Sequence, residues 1–230
     1  MSETSPLFDG YAGNYDAALA EGLQVTGEDA AYFARRRVAW MQQCLARLNV
    51  IPRRVLDFGC GTGGSVPYLL MLPGVQEVVG VDISESSLDV ARARHSDARV
   101  RFAHTSELNE SGFDLAFCNG VFHHIPVVSR LDCARYVLGK LNPRGLFALW
   151  ENNPWNPGTR YIMNRVAFDA DAVTLSPPQV KKLLRDAGFS HVNTSFLFIF
   201  PRLLKLFRPL ESVCQRLPLG GQFVTLEQRP

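Results

Sequence analysis

Residues 55–64, Val-Leu-Asp-Phe-Gly-Cys-Gly-Thr-Gly-Gly, run an apolar stretch into a turn with glycines at 59, 61, 63 and 64. Eighteen residues on, a second apolar stretch, Val78-Val-Gly-Val-Asp-Ile-Ser84, ends in Asp82. Short apolar runs bounded by glycine read as buried strands, and a glycine turn lets a ligand approach the backbone closely. The second strand then presents a carboxylate at its C-terminal end, the position from which ribose hydroxyls are bound in open α/β sheets. This pairing of turn and acid restricts the chain to an alternating α/β architecture with a nucleoside site at the strand ends.

The rest of the chain fits that alternation. Phe33, Trp40, Met41, Cys44, Leu45 and Leu48 form a helical stripe within 28–48, followed by Pro52. Strands are expected at 53–58, 76–82, 99–103, 113–118, 146–150, 191–199 and 223–226. Helices are expected at 65–72 (stopped by Pro73-Gly74), from Ser84 as N-cap to His95, at 129–141, and at 177–187 before Gly188. Alternating strands and helices imply a parallel sheet with ligand crevices at the carboxyl ends of its strands. The chain reads as one domain over 1–230. Residues 1–50 form a lid and helix, 53–151 the ligand-binding core, and 152–230 the substrate-side loop, helical inserts and last strands.

Gly59, Gly61 and Gly64 also satisfy the G-x-G-x-x-G spacing of dinucleotide-binding proteins. A pyrophosphate on the helix N-terminus would, however, be repelled by Asp57, whereas a ligand with a positive ammonium group would be attracted. D-x-G-x-G-x-G with an acid at the next strand end resembles the class I S-adenosylmethionine-dependent methyltransferases, strongly over residues 53–151. The resemblance implies a Rossmann-like doubly wound sheet of seven strands, mostly parallel with the last antiparallel, and helices on both faces. It also implies S-adenosylmethionine as cofactor and S-adenosylhomocysteine as product.

Carried over position by position, the resemblance implies that Asp57 contacts the methionine ammonium. The backbone at Gly59, Cys60 and Gly61 would line the cofactor, Asp82 would accept from both ribose hydroxyls, and Ile83 would pack on the adenine. Many relatives have an Asp at the end of strand 3, but this chain has Ala103-His-Thr-Ser106, leaving Thr105, Ser106 or the backbone to replace it. Asn119 and Gly120 end strand 4 where the cofactor site passes into the substrate side. The leader Phe8-Asp-Gly-Tyr-Ala-Gly-Asn-Tyr-Asp16 is similar to a family segment that folds over the cofactor. Tyr15 would close that site, and Tyr11 would face the substrate.

Two further motifs lie at the strand exits. In Asn119-Gly-Val-Phe-His-His-Ile-Pro126 the histidines are suited to proton transfer near neutral pH, or else are structural, bonded to nearby backbone. Trp150-Glu-Asn-Asn-Pro-Trp-Asn-Pro-Gly158, with Arg160, reads as a proline-stiffened substrate wall or as a surface turn. Asn152, Trp155 and Arg160 are its candidate substrate contacts. Methyl transfer from a sulfonium has a neutral leaving group, so a base is needed only where the acceptor must lose a proton. The candidates are His124, His123 and Glu151, in that order.

Composition excludes several classes. With 24 Lys and Arg against 22 Asp and Glu the chain is no general nucleic-acid reader. No run reaches the length of a membrane span, and residues 1–20 lack the apolar core of a secretion signal. The five scattered cysteines show no zinc spacing, so no metal is expected, and they fit reduced thiols in a cytoplasmic protein. The expected partner is a small, partly apolar acceptor; the oligomeric state is not set by the sequence.

Residues 201–217 place Leu203, Leu206, Phe207, Leu210, Val213 and Leu217 at helical spacing with Arg202, Lys205, Arg208 and Arg216 to one side. The favoured expectation is a lid of two short helices, the second opened by Pro209, whose apolar face packs on the core. The alternative is an element touching a membrane or a lipid-like substrate, without stable insertion. Other functional readings are an enzyme using the same cofactor without methyl transfer, a dehydrogenase, and a non-catalytic partner subunit that kept the fold.

Overall fold

The strand segments alternate strictly between two apolar faces, and that alternation builds the layers. Val55, Val78, Leu115 and Leu146 point to one side, while their successors Leu56, Val79, Ala116 and Phe147 point to the other. Continuous apolar strands of this kind need cover on both faces, which helices supply. The structure, a computed structural model, describes residues 9–10, 13 and 15–230.

The strands are β1 (Arg54–Phe58), β2 (Glu77–Asp82), β3 (Val100–His104), β4 (Phe113–Asn119), β5 (Leu141–Asn152), β6 (Ser190–Leu197) and β7 (Gln222–Gln228). They form one sheet in the order β3-β2-β1-β4-β5-β7-β6. All neighbours pair in parallel except β7, which runs antiparallel between β5 and β6. This is the expected seven-stranded, doubly wound sheet. Its order reverses between β1 and β4, and the glycine turn and Asn119 both leave the sheet there.

The helices are α1 (Tyr15–Leu23), α2 (Ala30–Leu48), α3 (Val66–Leu69), α4 (Glu85–Arg94), α5 (Arg130–Lys140), α6 (Pro157–Met163), α7 (Pro177–Ala187) and α8 (Glu211–Cys214). One face is covered by α2 and α3 through Val38, Met41, Leu45, Val66 and Leu69. The other is covered by α5 and α7 through Ala134, Val137, Val180 and Leu184. Capping chemistry fixes the ends. Asp29 accepts from the Tyr32 N–H, Ser84 from the Ser87 N–H, and Ser176 with Gln179 closes a capping box ahead of α7.

Several boundaries differ from expectation. The helix after the glycine turn is α-helical only over Val66–Leu69 and then tightens, Met71 and Leu72 each donating three residues back. Strand β5 begins at Leu141, because Leu141 pairs with Phe113 before a register shift absorbs the Asn142-Pro-Arg-Gly145 turn. Strand β6 stops at Leu197, where Phe198 takes a left-handed φ of 63° and turns the chain out of the sheet.

The segment 201–217 corrects the expectation most. A 3₁₀ run covers Arg202–Leu210 with Pro209 inside it, a kink at Leu204, and α8 starting only at Glu211. Pro209 therefore does not open the second helix. Nor does the apolar face pack on the core: Leu203 is 91% exposed, Leu206 85% and Val213 80%. The segment is anchored by its polar side chains instead. Glu211 is buried, pairs with Arg36 at 2.8 Å and accepts from the Ile199 and Phe200 N–H groups. Arg208 pairs with Glu28 at 2.8 Å and lies over the Tyr32 ring. Among the described residues no helix is long and apolar enough to cross a membrane.

Candidate active site

The glycine turn leaves β1 folded back against β2, with the Gly59 and Cys60 N–H groups both donating to the Val81 carbonyl. Gly59 has φ 70°, and a Cβ there would sit 2.4 Å from Val121 Cγ2, so the loop after β4 packs on it. Gly61 has φ 51°, yet nothing lies within 4 Å of where its Cβ would be. Gly59 is needed for packing, and Gly61 leaves open backbone. The Cys60 side chain is buried beneath the turn near Gly80, with its thiol pushed well up by burial. Only the backbone of Cys60 faces the turn's outer side.

Asp57, the fourth residue of β1, is 2% exposed, and its Oδ2 has no hydrogen-bond partner. Burial, reinforced by nearby Asp82, pushes its pKa up to about 7. An orphaned buried carboxylate beside an open glycine is a ready seat for a cation bearing N–H donors. Asp82 closes the turn: its Oδ2 accepts from the Gly61 N–H at 2.8 Å and its Oδ1 from the Ser84 N–H at 2.9 Å. Each oxygen keeps a further lone pair for a hydroxyl donor. Burial raises the Asp82 pKa, and these backbone bonds oppose the rise.

Half-exposed Ile83 sits beside this acid at the end of β2. Beyond it, His104 shares hydrogen bonds with the Ile83 carbonyl and the Ser106 hydroxyl, so Ser106 is already engaged. The Thr105 carbonyl accepts from the Tyr136 hydroxyl. The leader reaches the same place, as the Ser84 hydroxyl donates to Asp9 at 2.6 Å. Tyr11 lies outside the described residues. Tyr15 opens α1, and its side chain is outside the description as well.

Next to this seat, from Asn119 and Gly120 onward, opens a largely apolar cavity of about 380 Å³. Its walls include Phe33, Asn152, Ile162, Met163 and Phe200. The Asn119 Oδ1 is buried with no partner. On one wall, four titratable groups meet. Glu151 is fully buried on β5, accepts from the Phe122 N–H at 2.9 Å and contacts His123 Nδ1 at 2.6 Å. On the far side of the ring, His123 Nε2 lies 3.6 Å from Asp169 Oδ1, and His124 Nε2 lies 3.3 Å from the same oxygen.

Burial alone would lower the His123 pKa, but Glu151 and Asp169 override it and push it up to about 10. The two histidines hold the Asp169 carboxyl below its usual range despite burial. The donors of His123, His124 and Asp169 lie within 4.8 Å of one another, a spacing that suits either a proton network or a three-donor cation site. Glu151, 2.6 Å from Nδ1, fixes the orientation of the His123 ring in either case. Asp169 was not anticipated. It sits in a 3₁₀ turn (Ala167–Asp169) without motif character, and only the fold brings it to the histidines.

The asparagine-rich loop after β5 is divided between the cavity and structural bonds. Asn152 lines the cavity and accepts from Gln222 Nε2 at 3.0 Å. Asn153, fully buried, donates to the carbonyls of Pro218 and Gly220, and Asn156 donates to that of Leu219 while capping α6. Trp155, expected in the substrate wall, is turned outward, 52% exposed and stacked on Phe196. Arg160 is also outside: Thr159, Ile162 and Met163 form the face of α6 toward the cavity, and the helical period carries residue 160 to solvent.

Comparison with known proteins agrees with this geometry. Residues 55–145 match the family model described as a methyltransferase domain. A trans-aconitate 2-methyltransferase of Rhodopseudomonas palustris (strain BisB18) is 33% identical over 120 residues, 51% of this chain and 45% of that one. A ubiquinone biosynthesis O-methyltransferase of Alkalilimnicola ehrlichii is 32% identical over 127 residues, 51% of this chain and 49% of that one. The chain thus spans about half the length of these curated relatives. Among solved structures, the magnesium protoporphyrin IX methyltransferase of Synechocystis PCC 6803 with bound S-adenosylhomocysteine shares the fold. Its TM-score is 0.60 at 17% identity, covering 91% of this chain and 86% of that one. With its seven-stranded sheet and a core segment that matches the methyltransferase domain over residues 55–145, the chain has the fold of the class I S-adenosylmethionine-dependent methyltransferases.

Proposed function

We propose that the chain is an S-adenosylmethionine-dependent methyltransferase acting on a hydroxyl of a small, partly apolar molecule held in the cavity beside Asn119. The observation that carries the reading is the buried, partnerless Oδ2 of Asp57 beside the open backbone of Gly61. When bound, S-adenosylmethionine supplies a methyl group on a sulfonium, which leaves as a neutral thioether. Asp57 would balance the charge of its ammonium, Asp82 would accept from the ribose hydroxyls, and Ile83 would give the adenine an apolar face.

The cavity then has to orient the acceptor, and such positioning can supply about 7–11 kcal/mol of the barrier. His123, held protonated between Glu151 and Asp169, cannot serve as the base. His124, on the cavity wall with Asp169 behind it, takes the acceptor proton, and Asp169 stabilises the imidazolium that results. Glu151 positions His123 and the Phe122 backbone without touching the acceptor. The reading is supported by the trans-aconitate 2-methyltransferase and the ubiquinone biosynthesis O-methyltransferase among the relatives, both named for small acceptors and the second for transfer to oxygen.

Calorimetric titration with S-adenosylhomocysteine tests the cofactor seat. The wild type should bind and Asp57→Asn should lose roughly tenfold to a hundredfold in affinity, the effect of removing one charged partner. Equal binding by the two proteins, or tighter binding of NAD than of S-adenosylhomocysteine, would refute the assignment.

A further inference from the structure

The strongest feature not used by the proposed chemistry is the surface of 201–217. Six large apolar side chains, Leu203, Leu206, Phe207, Leu210, Val213 and Leu217, stand out from it, each at least half exposed. A cluster of this kind, rimmed by polar groups, marks an interaction surface. The segment is also held in place rather than loose, because the Glu211 and Arg208 anchors tie its polar side to the body of the protein.

Within 201–217 the outward-facing charges are of one sign. Arg202, Lys205 and Arg216 are exposed. The only acid within 201–217 is Glu211, and it is turned inward and consumed by Arg36 and two backbone N–H groups. An exposed apolar face that carries cations and no outward acid of its own is complementary to an anionic bilayer, with acyl chains for the apolar groups and phosphates for the cations. The surface is continuous with the cavity, since Phe200, Pro201 and Arg208 belong to the cavity wall.

We infer that residues 201–217 form a peripheral membrane-docking surface that seats the protein on anionic lipid, with the cavity opening beside the bilayer. Docking does not depend on methyl transfer, and it is measured without cofactor or turnover.

The test is flotation of the full chain with phosphatidylcholine vesicles, with and without about one third phosphatidylglycerol. The wild type should float with the anionic vesicles, less with phosphatidylcholine alone, and less again at high salt. Leu203→Ser/Leu206→Ser should weaken flotation by about tenfold or more. Its melting temperature and S-adenosylhomocysteine affinity should be unchanged, because both side chains already stand in solvent. Val213→Ser/Leu217→Ser supplies the same comparison should the first variant misfold. Lys205→Glu/Arg216→Glu should abolish the preference for anionic vesicles. The inference fails if the wild type stays out of the lipid fraction, or if both apolar double variants float as well as it does. It also fails if light scattering shows a wild-type dimer that the serine variants convert to monomer without any vesicle binding, since a second copy would then cover the face.

Discussion

At Asp57 a single buried carboxylate bears on stability and, in the proposed role, on cofactor affinity. Its folded pKa of about 7 lies above the ordinary 3.8, so between those values the native state holds a proton that the unfolded chain has released. Stability of the ligand-free protein gained from this site is present at low pH and is lost as pH rises through about 7. Asp57→Asn should therefore raise the melting point near pH 8 by an amount worth at most a few kcal/mol, and change it little near pH 4. S-adenosylhomocysteine affinity of the wild type should run the opposite way, tightening as pH rises through about 7, because its ammonium pairs with the ionised acid. Titration calorimetry across that interval reads it directly.

The neighbouring glycines separate packing from binding. Gly59→Ala forces a methyl against Val121 and should be the more destabilising variant in urea unfolding. Gly61→Ala meets no atom of the protein and should cost only about 1–2 kcal/mol for its left-handed φ, while still weakening S-adenosylhomocysteine binding. The placement of Asp57, the glycines and Asp82 around one turn was legible in the sequence, because it depends on backbone spacing within one strand–turn–strand unit.

Among the elements, the loop after β5 shows where local reading stops. Its asparagines and prolines fit a binding wall and a turn equally well, and the structure divides the residues between the two. The Asn153 side chain carries three hydrogen bonds, to the Pro218 and Gly220 carbonyls and from the Trp155 N–H, and latches the approach to β7 onto the end of β5. Asn153→Ala should cost about 2–3 kcal/mol in urea unfolding, since buried carbonyls lose their donors. The carbonyl partners lie more than sixty residues away, so no local pattern could announce them. Elements with their own punctuation were read closely: α7, between a capping box and Gly188, spans Pro177–Ala187 as expected. Those ending through tertiary pairing, such as β5, were not.

For the whole molecule, the buried cluster of Glu151, His123, His124 and Asp169 joins the exits of β4 and β5 to the turn at Ala167–Asp169. The His123 pKa is raised from 6.5 to about 10, so its stabilising contribution is full below 6.5 and is lost as pH climbs through about 10. The protein should lose stability steadily over that interval. Glu151→Gln should be less stable at neutral pH by about 3–5 kcal/mol, the cost of stranding a buried charge, and should show a weaker decline at alkaline pH. Chemical denaturation at a series of pH values measures both. A variant as stable as wild type would show that the pair contributes nothing.

By itself the sequence determined the alternating sheet, the strand–turn–strand unit that brings Asp57, Gly59, Gly61 and Asp82 together, and the methyltransferase resemblance of its core segment. Each depends on apolar periodicity and on glycine and acid spacing within short segments. Tertiary structure decided the rest: that Asp169 completes the histidine cluster, that His123 lies between Glu151 and Asp169, that Trp155 and Arg160 face solvent, and that the apolar side of 201–217 stands exposed. A helical stripe of leucines has the same pattern whether it meets a core or water. Which of the two it meets depends on where buried anchors such as Glu211 fix the segment, and those anchors act between residues far apart in the chain.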